Sequence, residues 1–243
     1  MIVLEVNQLS KSFGGLKAVE NIDFGLGQKE ILGIIGPNGA GKTTLFNLIS
    51  GFLKPDKGTI KFGGRSITGL QPHQICKLGM ARTFQIVKPF GELSVLHNVM
   101  IAAFNRTRDK SNAEHKAREI INFVGLVAKL HYPASTLNIA NLKRLELAKA
   151  LATEPRLLLL DEVLAGNNSF EREDLVRLIH QTREREVTII IIGHEIEDML
   201  NLSDRLVVIN FGKKIAEGPP IEVVRSKEVI EAYLGEDYEH ARA

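Results

Sequence analysis

The chain has 243 residues, 44% of them hydrophobic and 25% charged, with a formal net charge of +2. That length allows one large or two small domains, and so small a charge gives no argument for nucleic acid. One cysteine, Cys76, excludes an internal disulfide and points to a reducing compartment. No apolar run approaches the ~20 residues of a membrane span. Residues 1–5 lack a basic region followed by a long apolar core, so no signal peptide is expected. These readings place the chain in the cytoplasm, with any membrane association made through a partner.

In chain order, residues 2–6, 21–26, 31–35 and 59–62 read as strands, punctuated by Gly14-Gly15, Gly27-Gln28 and Pro55-Asp56-Lys57-Gly58. A helix is expected over 43–49, stopping at Gly51. From about residue 89 to 152 the pattern becomes helical. Residues 112–124 form one helix ending at Gly125, and residues 141–152 another, with Leu142, Leu145, Ala148 and Leu151 on one face. Strands return at 157–160, 188–192 and 205–209, with a helix over 170–186. Residues 237–243 read as a solvated tail. The expected fold is α/β: a core over residues 1–85 and 156–243, with an N-terminal antiparallel β portion and an inserted helical subdomain over 86–155.

The segment Gly36-Pro37-Asn38-Gly39-Ala40-Gly41-Lys42-Thr43-Thr44 carries the most specific chemistry. It lies between an apolar strand and a helix. That arrangement turns successive backbone N–H groups and the positive end of a helix dipole toward an anion. Lys42 reaches the outer phosphates of a nucleotide, and the Thr43 hydroxyl holds Mg²⁺. A second apolar strand ends in Asp161-Glu162. A carboxylate there suits Mg²⁺, which assigns Asp161 to the metal and Glu162 to polarising an attacking water. His194 follows a third apolar strand, from where its imidazole donates to the γ-phosphate. The Gln85 amide, just before the helical stretch, is placed to reach the metal or the water.

These residues in this order resemble the ATP-binding-cassette (ABC) ATPases over about residues 3–234. The resemblance implies that Phe13 stacks on adenine and that residues 36–44 are the Walker A loop. Gln85 becomes the Q-loop glutamine, Asp161 the Walker B aspartate, Glu162 the catalytic glutamate and His194 the switch histidine. Gly51-Phe52-Leu53-Lys54-Pro55, Arg82-Thr83-Phe84-Gln85 and Ala232-Tyr233-Leu234-Gly235-Glu236 look like the larger ATPase of branched-chain amino acid importers. Related urea and amide importers share much of this pattern. The implied partners are ATP with Mg²⁺, a second ABC ATPase subunit in a homo- or heterodimer, and permease subunits docked by the helical subdomain. No nucleic acid is implied. The location implied is peripheral, on the inner face of the cell membrane.

The chain departs from the family where a subunit touches its partner's nucleotide. The usual Leu-Ser-x-Gly-Gln signature reads Leu137-Asn138-Ile139-Ala140-Asn141, and the loop after the acids reads Val163-Leu164-Ala165-Gly166-Asn167-Asn168. Asn138 should still cap the helix as well as serine does. Ala140 lacks the angles open to glycine, and its Cβ obstructs a close phosphate. ATP binding with slowed hydrolysis follows. The competing reading is a nucleotide-gated regulatory or assembly protein of weak hydrolysis.

Overall fold

The computed structural model describes residues 1–193 and 195–240. In chain order the strands and helices are β1 (Ile2–Phe13), β2 (Leu16–Gly27), β3 (Ile31–Ile35), α1 (Lys42–Ile49), β4 (Lys57–Phe62), β5 (Arg65–Ser66), α2 (Pro72–Lys77), β6 (Met80–Arg82), α3 (Val95–Ala103) and α4 (Lys110–Phe123). They continue as α5 (Ile139–Ala152), β7 (Leu157–Asp161), α6 (Ser169–Glu184), β8 (Thr188–Ile192), α7 (Ile196–Leu202), β9 (Arg205–Asn210), β10 (Lys213–Gly218), α8 (Pro220–Val223) and α9 (Lys227–His240). The chain divides into two compact units, Met1–Ile75 with the residues from Thr188 on, and Cys76–Val187. Among the described residues no helix is long and apolar enough to cross a membrane.

In the first unit, strands β2-β1-β4-β5 form an antiparallel sheet. The strand expected over residues 2–6 extends to Phe13, more than twice that length. The polar pair Asn7-Gln8 breaks the alternation, but the backbone absorbs it as a register shift between Val6 and Leu9, with Gln8 at φ 48°. Beyond that bulge Leu9 is buried like Leu4 and Val6, so the strand resumes on the same face. A second sheet holds β3 parallel to both β8 and β9, with β10 antiparallel along β9. All five residues of β3 are buried, as are all five of β8, which is why both read as unbroken apolar runs.

In the second unit, β6 runs parallel to β7, and α3, α4 and α5 pack together. Helix α5 corrects the one-face reading. Lys143, Glu146, Leu147 and Ala150 are buried alongside Leu145, Ala148 and Leu151, whereas Leu142 is only half-buried. A helix covered on several sides carries no amphipathic stripe. The expected tail over residues 237–243 begins inside a helix. Helix α9 runs through residue 237 to His240, while residues 241–243 lie outside the described chain.

Candidate functional site

The glycine loop joins β3 to α1 in the first unit. Two of its glycines are demanded by space as well as by angle. Gly36 has φ 152°, and a Cβ there would sit 2.0 Å from the carbonyl oxygen of Ile209. Gly41 has φ 106°, and its Cβ would meet the oxygen of Ala18 at 2.2 Å. The loop is thus clamped between β2 and the end of β9, and Gly212 N adds a hydrogen bond to Ala40 O at 2.9 Å. Gly41 caps α1 without any side-chain hydrogen bond, and the first turn carries no acid. With no side chain capping this helix start and no acid in its first turn, the dipole there favours an anion. Lys42 is buried, its Nζ donating to Gly36 O at 2.5 Å and Pro37 O at 2.7 Å. The ammonium therefore rests on the same loop whose N–H groups would receive phosphate. Asn38, Gly39 and Thr43 are exposed, Thr44 is half-buried, and Pro37 and Ala40 are buried. This uncapped, cation-bearing cradle fits a nucleotide's phosphates. The exposed Thr43 hydroxyl fits a hard, oxygen-seeking ion.

Phe13 ends β1 with 47% of its surface exposed, and Lys11 Nζ lies 5.7 Å from its ring centroid. A half-exposed ring at a strand end has a face available for stacking. His194 lies outside the described residues.

The second unit gathers Gln85, Asp161 and Glu162 around one shallow cleft, which Lys143 and Glu146 also line. The segment after β6 is laced to the end of β7. Thr83 N donates to Leu159 O at 2.9 Å, and Asp161 N donates to Thr83 Oγ1 at 3.2 Å. Arg82 Nη2 donates to Asp161 Oδ2 at 2.7 Å, an ion pair whose side chains are 7% and 5% exposed. Gln85 Nε2 donates to Glu162 Oε2 at 2.7 Å. Glu162 takes φ 47°, a left-handed conformation that costs a side-chain-bearing residue about 1–2 kcal/mol. Strain of this kind collects where a side chain must be aimed.

Asn138 and Ala140 stand at the start of α5. Asn138 is the N-cap, its side chain accepting from Asn141 N at 3.0 Å, so the helix start survives the change from serine. Ala140 lies in the first turn and is not among the residues of positive φ. The backbone here makes no demand for glycine. Asn138 and Ile139 are exposed.

Sequence reasoning missed two residues. Arg82 is drawn in by its pairing with Asp161, which no local pattern announces. Lys143 sits a little over a turn into α5, where a lysine ordinarily reads as solvated, yet its Nζ donates to Val163 O at 3.0 Å and to Ala165 O. Burial pushes its ammonium pKa down, against the opposing pull of Glu162 and Glu171.

The family described as "ABC transporter" matches residues 19–165, and "Branched-chain amino acid ATP-binding cassette transporter" matches 213–239. The chain belongs to the ABC transporter family. Among the relatives of this cassette is the high-affinity branched-chain amino acid transport ATP-binding protein LivG of Salmonella typhimurium. It is 39% identical, with 96% of this chain and 98% of the relative covered. The corresponding BraF protein of Pseudomonas aeruginosa is 38% identical over the same shares. A nucleotide-free cassette from an ABC transporter superposes with TM-score 0.88 at 31% identity, covering 96% of this chain and 99% of that one. An ABC-transporter cassette in its ADP conformation also gives TM-score 0.88 at 31% identity, covering 97% and 99%. As a member of this family the cassette is an ATP-binding ATPase with an α/β core.

Proposed function

We propose that this cassette is the subunit that energises an importer of branched-chain amino acids, docking on separate permease subunits at the inner face of the membrane and working with a second ATPase subunit. The observation that carries the proposal is the coverage of transport ATP-binding proteins from end to end, over a loop shaped for phosphate. In this reading Lys42 and the amides of residues 36–44 stabilise the phosphate charge, and Phe13 takes the adenine face. Thr43 in the first unit, and Asp161 and Gln85 in the second, are the residues that would offer oxygens to Mg²⁺, which when bound would neutralise charge on the phosphates. Glu162 polarises the attacking water, and His194 donates to the outer phosphate. Residues 1–85 with 156–243 act as the nucleotide core, and residues 86–155 carry the motion to the permease.

The test is reconstitution of the cassette in vesicles with its partner ATPase, permeases and solute-binding protein. ATP-driven uptake of leucine, isoleucine or valine that Lys42→Ala abolishes is the expected result. ATP turnover without uptake of those solutes moves the substrate to another small polar class, such as urea or amides.

A second reading, a nucleotide-gated regulatory protein of weak hydrolysis, is favoured by the altered signature Asn138, Ala140 and Asn141. It predicts ATP binding with no turnover stimulated by any permease. An asymmetric dimer explains the same departures if the partner ATPase supplies a normal signature to the ATP bound here.

A further inference from the structure

We propose that Lys143 is a positioning residue for the hydrolytic glutamate, tying the signature helix to the loop that sets the aim of Glu162. The proposal rests on the assignment of Glu162 as the residue that polarises water. Its observations all lie within residues 76–187.

Glu162 takes φ 47°, and the chain turns at once, with Ala165 N bonded to Glu162 O at 3.2 Å. A left-handed, side-chain-bearing residue persists only where its surroundings over-determine it. The three carbonyls after Glu162 are all held by buried side chains. Asn167 Nδ2 donates to Val163 O at 3.2 Å and to Leu164 O at 2.9 Å, a restraint local to the loop. Lys143 Nζ, from α5, donates to Val163 O at 3.0 Å and to Ala165 O. Lys143 is 9% exposed, so these bonds form largely out of water, where a charged donor counts for most. Its charge also lies near enough to Glu162 and Glu171 to interact with both. The helix that supplies this lysine opens at Asn138, the signature position. One side chain therefore connects the start of α5 with the backbone carrying the water-polarising acid. A lysine serving only to fasten the helix would affect stability, with no selective effect on turnover.

The test uses the full chain carrying Lys143→Met or Lys143→Arg, with amide exchange measured without nucleotide. In Lys143→Met, which removes both bonds, amides 163–168 should exchange at least about tenfold faster and kcat should fall at least about tenfold, the lower end of the loss expected for a single charge-assisted hydrogen bond. The ATP dissociation constant from calorimetry should stay within about threefold, and Lys143→Arg should restore both exchange and kcat. Unchanged exchange in Lys143→Met, or an equal loss of kcat in the arginine variant, overturns the proposal. Should Lys143→Met not fold, Lys143→Gln replaces it. A glutamine variant about tenfold below the arginine variant supports the tie, and equality of the two overturns it. Absence of Lys42-dependent ATP heat in the parent chain defeats the functional reading and the positioning role together. Normal ATP uptake with unaltered exchange defeats the Lys143 tie alone.

Discussion

The Gln85 amide donates to the Glu162 carboxylate at 2.7 Å, so Gln85 already holds the acid proposed to polarise the attacking water. Gln85 is exposed, so water competes for its bond to the carboxylate and holds it to the low end of the about 1.5–3 kcal/mol of a charge-assisted hydrogen bond. That is weak enough for a bound nucleotide to displace and strong enough to bias the resting side chain. Glu162→Gln removes the charge while keeping the shape. It should leave ATP binding intact, lower kcat by at least about a hundredfold and accumulate an ATP-bound dimer. Phosphate release, calorimetry and size-exclusion chromatography read the three effects. Full-rate hydrolysis in this variant removes Glu162 from the role of base.

The Arg82–Asp161 pair is almost wholly buried. Breaking one side of such a pair leaves an uncompensated charge in a poor solvent, at a cost of about 3–5 kcal/mol. Arg82→Met should therefore lower unfolding free energy by that amount in a denaturant titration. Lys42→Ala, which leaves this pair alone, should abolish the heat of Mg·ATP binding without a comparable loss. If Arg82→Met is as stable as the parent, the pair is not the structural tie its burial indicates.

The glycines of the loop separate steric need from angular need. Gly36→Ala and Gly41→Ala place a Cβ within 2.0 and 2.2 Å of backbone oxygens, so the loop must shift and ATP binding should be lost. Gly39 has φ 76° but nothing within 4 Å of a Cβ. Gly39→Ala should cost only the angular strain, about 1–2 kcal/mol, and retain measurable ATP binding by calorimetry. Equal loss in all three variants would mean that the angles, and not the clamp against Ala18 and Ile209, set the loop.

What was legible in the sequence tracks how local the cause is. The loop from Gly36 to Thr44, the strand ending at Asp161 with Glu162 after it, and the buried runs of β3 and β8 are written in contiguous residues. Strand β10, over Lys213-Lys214-Ile215-Ala216-Glu217-Gly218, was not legible, because a strand pairing only along β9 needs no apolar alternation to hold it. The roles of Arg82 and Lys143 are set by partners 79 and 20–22 residues away. No pattern of neighbours encodes such a meeting, and charge alone reads as a solvated surface.

The signature departures now have a sharper test than sequence allowed. Asn138 caps α5 in serine's place, and Ala140 holds ordinary helical backbone, so neither change is forced or penalised by the fold. Their effect falls on whatever phosphate approaches this helix start. In the variant Asn138→Ser/Ala140→Gly/Asn141→Gln the cap is kept, and one glycine in the first turn costs at most about 1 kcal/mol of stability. A recovered charge-assisted hydrogen bond is worth about 1.5–3 kcal/mol, or roughly ten- to a hundredfold in rate. Turnover by the purified cassette should therefore rise by about that factor while its melting temperature holds or falls slightly. If the variant hydrolyses ATP no faster than the parent, asparagine and alanine already serve the partner's phosphate, and the case for a one-sided dimer loses its motive.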